Sequence, residues 1–167
     1  MIKTQLAAIR SSLPATTALI AVSKTHPIER IMEAYEAGQR DFGENKVQEL
    51  VEKYEALPKD IRWHMIGHLQ SNKVKYIAPF VHLIHGVDSF NLLKEINKQG
   101  QKNGRRISCL LQFHIAQEDT KFGLSLEEAK AFLAGPEFSL LDHVRICGVM
   151  GMATFTENTA QIRKEFQ

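Results

Sequence analysis

The chain has 167 residues with 21 basic and 19 acidic side chains, so its formal net charge is +2. A hydrophobic content of 44% and a charged content of 24% are typical of a globular protein and exclude the disordered, collagenous and low-complexity classes. The length fits one domain over residues 1–167 but is short of the roughly 250 residues of a complete eight-fold (β/α) barrel, and so small a charge gives no support for a nucleic-acid or membrane partner.

The cysteines and the N-terminus predict a cytoplasmic protein. Cys109 and Cys147 each lie in an apolar run, and two cysteines are too few for a disulfide framework or a four-ligand zinc site. We therefore expect both thiols to be reduced and buried in the core. The first residues are too polar for a signal peptide, and no apolar run approaches the roughly 18 residues that a membrane span needs.

Helical and strand periodicities alternate along the chain after an opening helix predicted over residues 2–13. Short apolar runs predict strands at 18–24, 40–44, 63–67, 81–87, 106–116 and 144–153. Helices are predicted between Pro27 and Gly38, along the stripe of Val47, Leu50, Val51 and Tyr54, over 71–77 and 90–98, from Ser125 onward and over 157–167. Ser125 and Glu128 have the spacing of a capping box.

Six strand–helix units in series predict a parallel sheet with helices packed outside it. Two topologies fit this pattern, a barrel and an open doubly wound sheet. The turn after the first strand, SKTHP at 23–27, contains no glycine. A nucleotide-binding open sheet would carry a glycine-rich loop there, so the nucleotide-binding interpretation loses support.

In both topologies the functional residues gather at the C-terminal ends of the strands. Lys24 ends the first predicted strand, which places its amine at the mouth of the fold. An amine that is partly shielded from water at such a position can attack an aldehyde, as a Schiff-base lysine does. On spacing alone, a solvated lysine at a strand end is the more common interpretation.

The histidines invite a metal interpretation that the pattern does not favour. His64 and His68 are four residues apart, as in zinc proteases, but the segment lacks the adjacent glutamate and lies on a predicted strand, where such residues are far apart. His82 and His85 are expected on opposite strand faces as packing or surface residues. A nucleophile elbow, GxSxG, is absent from the sequence.

Several motifs together resemble the pyridoxal phosphate homeostasis proteins, and the resemblance runs from about residue 2 to residue 167. The matching segments are AVSKTHPIERIMEAYEAGQRDFGENKVQEL at 21–50, WHMIGHLQSNK at 63–73, HGVDS at 85–89 and GVMGMATFTEN at 148–158. The resemblance implies a (β/α) barrel of the alanine racemase N-terminal type and pyridoxal 5′-phosphate (PLP) as the cofactor.

The same resemblance assigns the site residues. It places the cofactor on Lys24 as a Schiff base, Asn45 beside it, and His64, Met150 and Met152 on strands that line the pocket. Glycine between the two methionines would allow a flat ligand to approach the backbone, although this segment is equally consistent with plain core.

The family barrel has two further strands after the sixth helix, which carry the segments that cradle the cofactor phosphate. The sequence ends before both, so about six of eight βα units are expected. The first and sixth strands are then expected to be open edges through which a chain of a monomeric family could self-associate.

The resemblance implies a cofactor carrier and regulator of vitamin B6 and amino-acid balance rather than a catalyst. Two alternatives stay open: a PLP-dependent, racemase-like amino-acid enzyme, and an incomplete barrel that does not retain the cofactor.

Overall fold

The computed structural model describes residues 1–117 and 122–167. Within them the strands are β1 (Ala21–Val22), β2 (Asp41–Glu44), β3 (Arg62–Met65), β4 (Leu83–Val87), β5 (Ile107–Phe113) and β6 (Val144–Gly151). The helices are α1 (Ile2–Ser12), α2 (Ile28–Glu36), α3 (Val47–Ala56), α4 (Val74–Ile77), α5 (Phe90–Lys102), α6 (Leu126–Ala134) and α7 (Thr159–Glu165). Short 3-10 turns, Ser71–Lys73 and Phe138–Leu140, precede α4 and β6.

The strand order decides between the two predicted topologies. The six strands are hydrogen-bonded in the order β1-β2-β3-β4-β5-β6, and each neighbouring pair is parallel. A doubly wound sheet reverses its order at a switch point, whereas a barrel adds each strand to the same side of the previous one. The prediction of a (β/α) barrel with six units is therefore confirmed.

The hydrophobic core lies between the sheet and its helices. Phe42 of β2 and Trp63 of β3 are buried, with ring centroids 6.0 Å apart, and Leu50 of α3 and Leu93 of α5 are fully buried in the same cluster. Since side chains alternate along a strand, a residue next to Phe42 points away from the helices. The helices therefore pack on one face of the sheet, and the other face of the sheet lines the barrel interior.

Several predicted strands are longer than the observed ones. The first was expected over 18–24, but β1 comprises Ala21–Val22 and is followed by a turn in which Thr25 has a φ of +63°. Apolar composition does not distinguish a paired strand from the extended chain that enters it. At α6 the local signal was sufficient, because the Ser125 side chain accepts a hydrogen bond from the Glu128 amide and the reciprocal bond completes the predicted capping box.

The prediction that both cysteines are buried is correct for Cys109 and wrong for Cys147. Cys109 of β5 is buried, and burial raises the pKa of its thiol to about 12. Cys147 of β6 is exposed. The register between β5 and β6 shifts at this point, so that Cys109 pairs with Ile146 and Leu110 with Gly148. Cys147 has no partner in this register, and it is exposed together with Arg145 and Val149 along the edge strand β6.

No helix in the described part of the chain is long and apolar enough to cross a membrane.

Candidate functional site

Lys24 and Asn45 follow the last residues of two neighbouring strands. Val22 of β1 pairs with Gly43 of β2, and the Ser23 amide donates a hydrogen bond of 3.0 Å to the Gly43 carbonyl. Lys24 comes directly after this bond and is exposed, while Asn45 is half-buried. The C-terminal edge of the sheet therefore carries both Lys24, an accessible primary amine, and Asn45, an amide, and this is the edge where barrels hold their functional groups.

The residue before Lys24 is held by a buried charged pair. Lys53 of α3 donates hydrogen bonds of 2.8 Å to the Ser23 carbonyl oxygen and 2.8 Å to Glu44 Oε1. The Ser23 hydroxyl donates to the same Glu44 oxygen at 2.5 Å. The side chains of Lys53 and Glu44 are 9% and 0% exposed. Ser23 is thus fixed through both its backbone carbonyl and its side chain.

The residue after Lys24 is held by the same helix. The Thr25 amide donates a hydrogen bond of 3.0 Å to Glu49 Oε2, and Lys53 Nζ lies 3.2 Å from that oxygen. Glu49 and Lys53 are one helical turn apart on α3. A φ of +63° is uncommon for a β-branched residue, so the Glu49 carboxylate stabilises an unusual backbone conformation next to Lys24.

The environments of the two glutamates shift their pKa values in opposite directions. Burial raises the pKa of Glu44 above its usual value, against the lowering effect of hydrogen bonds from Lys53 and Ser23. The hydrogen bond from the Thr25 amide lowers the pKa of Glu49. Glu44 Oε2 is buried without a hydrogen-bond partner among the described residues. This oxygen is a polar atom that the local structure leaves unsatisfied.

Gly67, just beyond β3, allows the backbone to approach Asn45 closely. A Cβ atom at position 67 would lie 2.5 Å from the Asn45 carbonyl oxygen and 2.8 Å from its Cα. Beside Asn45 opens a cleft of about 650 Å³, a volume typical of small-molecule pockets. Side chains that line it include Lys46, Val51, His68, Lys73 and Tyr76.

His64 lies beneath this edge in a chain of polar contacts. It is 4% exposed, its Nε2 lies 3.0 Å from Asp41 Oδ1, and its Nδ1 lies 2.9 Å from His85 Nε2. The rings of His82 and His85 have centroids 5.2 Å and 5.1 Å from that of His64.

The predictions for the other histidines have different outcomes. The prediction that His82 and His85 lie on opposite strand faces is wrong, because both rings lie near His64. His82 precedes the first residue of β4, so the alternation of side chains along that strand does not apply to it. His68, in contrast, is exposed and contacts Asp88, so the His64–His68 spacing does not create a shared site.

Arg62 completes the polar chain at the first residues of β2 and β3. Its guanidinium donates to Asp41 Oδ1 at 2.7 Å and to Asp41 Oδ2 at 2.5 Å. Desolvation works to raise the pKa of Asp41, but the hydrogen bonds from Arg62 and His64 prevail and lower it. Burial lowers the pKa of His64, and it lowers that of His85 to about 4.

The same residues include a geometric candidate for a metal site. Ligand atoms of Asp41, His64 and His82 lie within 4.8 Å of one another. Arg62 already donates hydrogen bonds to both Asp41 oxygens, so this carboxylate is engaged by a cation of the chain itself.

The two predicted methionines belong to the last strand of the sheet. Met150 of β6 is half-buried and pairs in register with Gln112 of β5, and Met152 follows the end of β6 and is 44% exposed. In sheet order β6 and β1 are the two edges. The structure therefore places Lys24 and Asn45 just past the ends of neighbouring strands, His64 within β3, Met150 on the edge strand β6 and Met152 just past its end.

Sequence reasoning did not find Glu44, Glu49 and Lys53. The one local signal is the spacing of Glu49 and Lys53, since acid–base pairs four residues apart are favourable on a helix. The same spacing is common on solvated helix faces, so it does not reveal that Lys53 is buried or that it reaches Ser23.

The whole chain, residues 1–167, matches the family described as the alanine racemase N-terminal domain. The pyridoxal phosphate homeostasis protein of Aquifex aeolicus is 41% identical over 151 residues, which are 89% of this chain and 65% of that protein. The chain thus spans about two thirds of the length of this curated relative.

Solved structures agree with the sequence matches. PipY of Synechococcus elongatus, a member of the COG0325 family, superposes with a TM-score of 0.93 at 39% identity, covering 99% of this chain and 77% of that one. Its structure with PLP bound gives a TM-score of 0.88 at 38% identity, with the same coverage. Alanine racemase of Streptomyces lavendulae has a TM-score of 0.80 at 19% identity over 99% of this chain and 44% of its own, which is a likeness of fold alone.

Proposed function

This chain belongs to the family of the alanine racemase N-terminal domain, and we propose that it binds PLP covalently through Lys24 and acts as a carrier of that cofactor in vitamin B6 and amino-acid homeostasis. Two findings support the proposal. Relatives at 34–41% identity are named pyridoxal phosphate homeostasis proteins, and the similar PipY has been solved with PLP bound.

The observation that carries the proposal is the setting of Lys24. Its side chain is exposed at the C-terminal end of β1, while the residues on both sides are tied to α3. Lys24 would hold an aldehyde cofactor through a bond from its Nζ to the aldehyde carbon, with the aldehyde oxygen lost as water. When bound, PLP supplies an electron-withdrawing ring next to that carbon.

The other proposed cofactor residues have different roles. Asn45 lies at the end of the neighbouring strand and offers an amide for orientation. His64 supports the site from one layer below, because Asp41 and His85 engage both of its ring nitrogens. Met150 and Met152 offer polarizable apolar surface from the β6 edge. Lys24 alone makes the covalent bond in this proposal.

A carrier role is favoured over catalysis. Curated relatives at 34–41% identity are named for homeostasis, whereas alanine racemases of similar fold are 13–19% identical, a likeness that supports only the fold. A carrier needs a site that covers the aldehyde, but it does not need a second acid or base poised over a substrate.

The test is a PLP titration of the purified chain, followed by the absorbance band of a lysine Schiff base. Wild type should show a saturable band, Lys24→Ala should lose it, and the control Lys130→Ala, an exposed lysine of α6, should keep it. Identical titrations for wild type and Lys24→Ala would contradict the assignment. Exchange of an amino-acid α-proton at catalytic rates by the loaded protein would replace the carrier role with an enzymatic one.

A further inference from the structure

The residues before and after Lys24 are hydrogen-bonded to side chains of β2 and α3, and different groups of the two residues make the bonds. Before Lys24, the carbonyl and hydroxyl of Ser23 bond to Lys53 and Glu44. After it, the Thr25 amide bonds to Glu49. We propose that Glu44, Glu49 and Lys53 are positioning residues that hold the backbone around Lys24 so that its amine is presented in one direction. This inference rests on the proposed cofactor role of Lys24.

The buried pair of Lys53 and Glu44 is poorly explained by stability alone. Burying two charges costs desolvation free energy, and apolar residues of similar volume often serve the fold as well. Here the Lys53 ammonium does more than neutralise Glu44, because its three donors are directed at Glu44, Glu49 and the Ser23 carbonyl. An apolar pair would fill the space, but the Ser23 carbonyl would lose its bond to the Lys53 ammonium and keep the one from the His26 amide.

Glu49 acts on the other side of the lysine. Its carboxylate accepts from the Thr25 amide at 3.0 Å while Thr25 has a φ of +63°. The Thr25 hydroxyl donates to the Lys24 carbonyl at 2.6 Å, which also constrains the peptide between them. Without Glu49, the Thr25 amide loses its charged hydrogen-bond acceptor. The unusual backbone conformation of Thr25 is then less stable, and the turn that carries Lys24 samples more conformations.

Glu44 links the two sides. Its Oε1 accepts from both Ser23 Oγ and Lys53 Nζ, so it sets the position of the ammonium that reaches the Ser23 carbonyl. Because Glu44 is the last residue of β2 and Asn45 follows it, the same strand end carries both the positioning carboxylate and the candidate cofactor amide. Correct orientation of a reacting group before the bond forms can account for a large part of its reactivity.

Amide hydrogen exchange on the chain without cofactor tests the positioning directly. Glu49→Ala should lower the protection of the Thr25 amide by about tenfold, whereas the control Glu52→Ala, a neighbouring acidic residue of α3, should leave it unchanged. Protection of the Trp63 amide in β3 should be equal in all three proteins, which shows that the fold is intact. Unchanged protection at Thr25 in folded Glu49→Ala would overturn the inference.

The rate at which Lys24 reacts with PLP gives the second readout. The double variant Glu44→Gln/Lys53→Met removes the Lys53 bond to the Ser23 carbonyl without leaving a single buried charge, and it should react with PLP about fivefold or more slowly than wild type. Lys53→Arg keeps a cation at that position, so Lys24 in this variant should react with PLP at most of the wild-type rate. Wild-type rates in the folded double variant would overturn the inference. If wild type itself forms no bond at Lys24, the proposed function fails, and the exchange result at Thr25 still decides the positioning role.

Discussion

Lys53 Nζ donates a hydrogen bond of 2.8 Å to the carbonyl oxygen of Ser23, although the two residues are 30 positions apart in the chain. The bond joins α3 to the residue that precedes Lys24. Because Lys53 also pairs with the buried Glu44, the stability of the fold and the setting of the candidate cofactor lysine depend on the same side chain.

Removing the Lys53 charge should therefore destabilise the fold strongly. Lys53→Met leaves the Glu44 carboxylate buried without its cation, a change that typically costs about 3–5 kcal/mol of unfolding free energy. Chemical denaturation followed by circular dichroism measures the loss. The exposed pair of Lys94 and Glu137, 4.0 Å apart, provides the control, since Glu137→Gln should change stability by less than about 1 kcal/mol. Equal losses for the two variants would contradict the buried network.

Acid should destabilise the protein partly through His85. Burial lowers the pKa of His85 from 6.5 to about 4, so the folded state resists a proton that the unfolded chain accepts. The stability from this group is complete above about pH 6.5 and is lost as the pH falls towards about 4. Urea midpoints at pH 7 and pH 4.5 should differ less in His85→Gln than in wild type. Equal pH slopes for the two proteins would show that His85 is not the cause.

The two thiols should differ sharply in reactivity. Cys147 is exposed at the irregular pairing with β5, whereas Cys109 is buried and has a raised thiol pKa. Since the thiolate is the reactive species, a chromogenic disulfide reagent should modify one thiol per folded chain and two in denaturant. Cys147→Ser should abolish the fast phase. Rapid modification of both thiols in the folded protein would contradict the burial of Cys109.

Gly67→Ala tests the close backbone approach at Asn45. The new Cβ would lie 2.5 Å from the Asn45 carbonyl oxygen, which forces the backbone apart and should cost about 1–3 kcal/mol of unfolding free energy. At Gly135 the nearest atom to a new Cβ is 3.3 Å away, so Gly135→Ala is the milder control. Thermal unfolding compares them, and a smaller loss for Gly67→Ala than for Gly135→Ala would contradict the geometry.

The sequence was sufficient for the number, order and type of the elements because each signal is local. Apolar runs and helical stripes place β2 to β6 and their helices within a few residues, and the Ser125 capping box depends on residues three positions apart. The strand ends were less predictable, as at β1, because pairing requires a partner strand and not only apolar side chains.

Residues of the candidate site could be predicted only where a sequence motif contains them. Lys24 follows the first strand, and its position at the sheet edge is apparent from the chain order. The burial of Lys53 and the approach of His82 to His64 arise from contacts between distant segments, and Cys147 is exposed on a strand at the edge of the sheet. No periodicity in the sequence reports these contacts.

Borohydride trapping with PLP, followed by peptide mass spectrometry, identifies the lysine that bonds to the cofactor. Reduction fixes the cofactor on whichever lysine has bonded to it, and the chain offers other exposed lysines, such as Lys98 and Lys130, as internal controls. At stoichiometric PLP, the label should lie on the peptide containing Lys24, with little on the other lysines. A label spread evenly over the surface lysines, or absent from Lys24, would contradict the proposed role of Lys24.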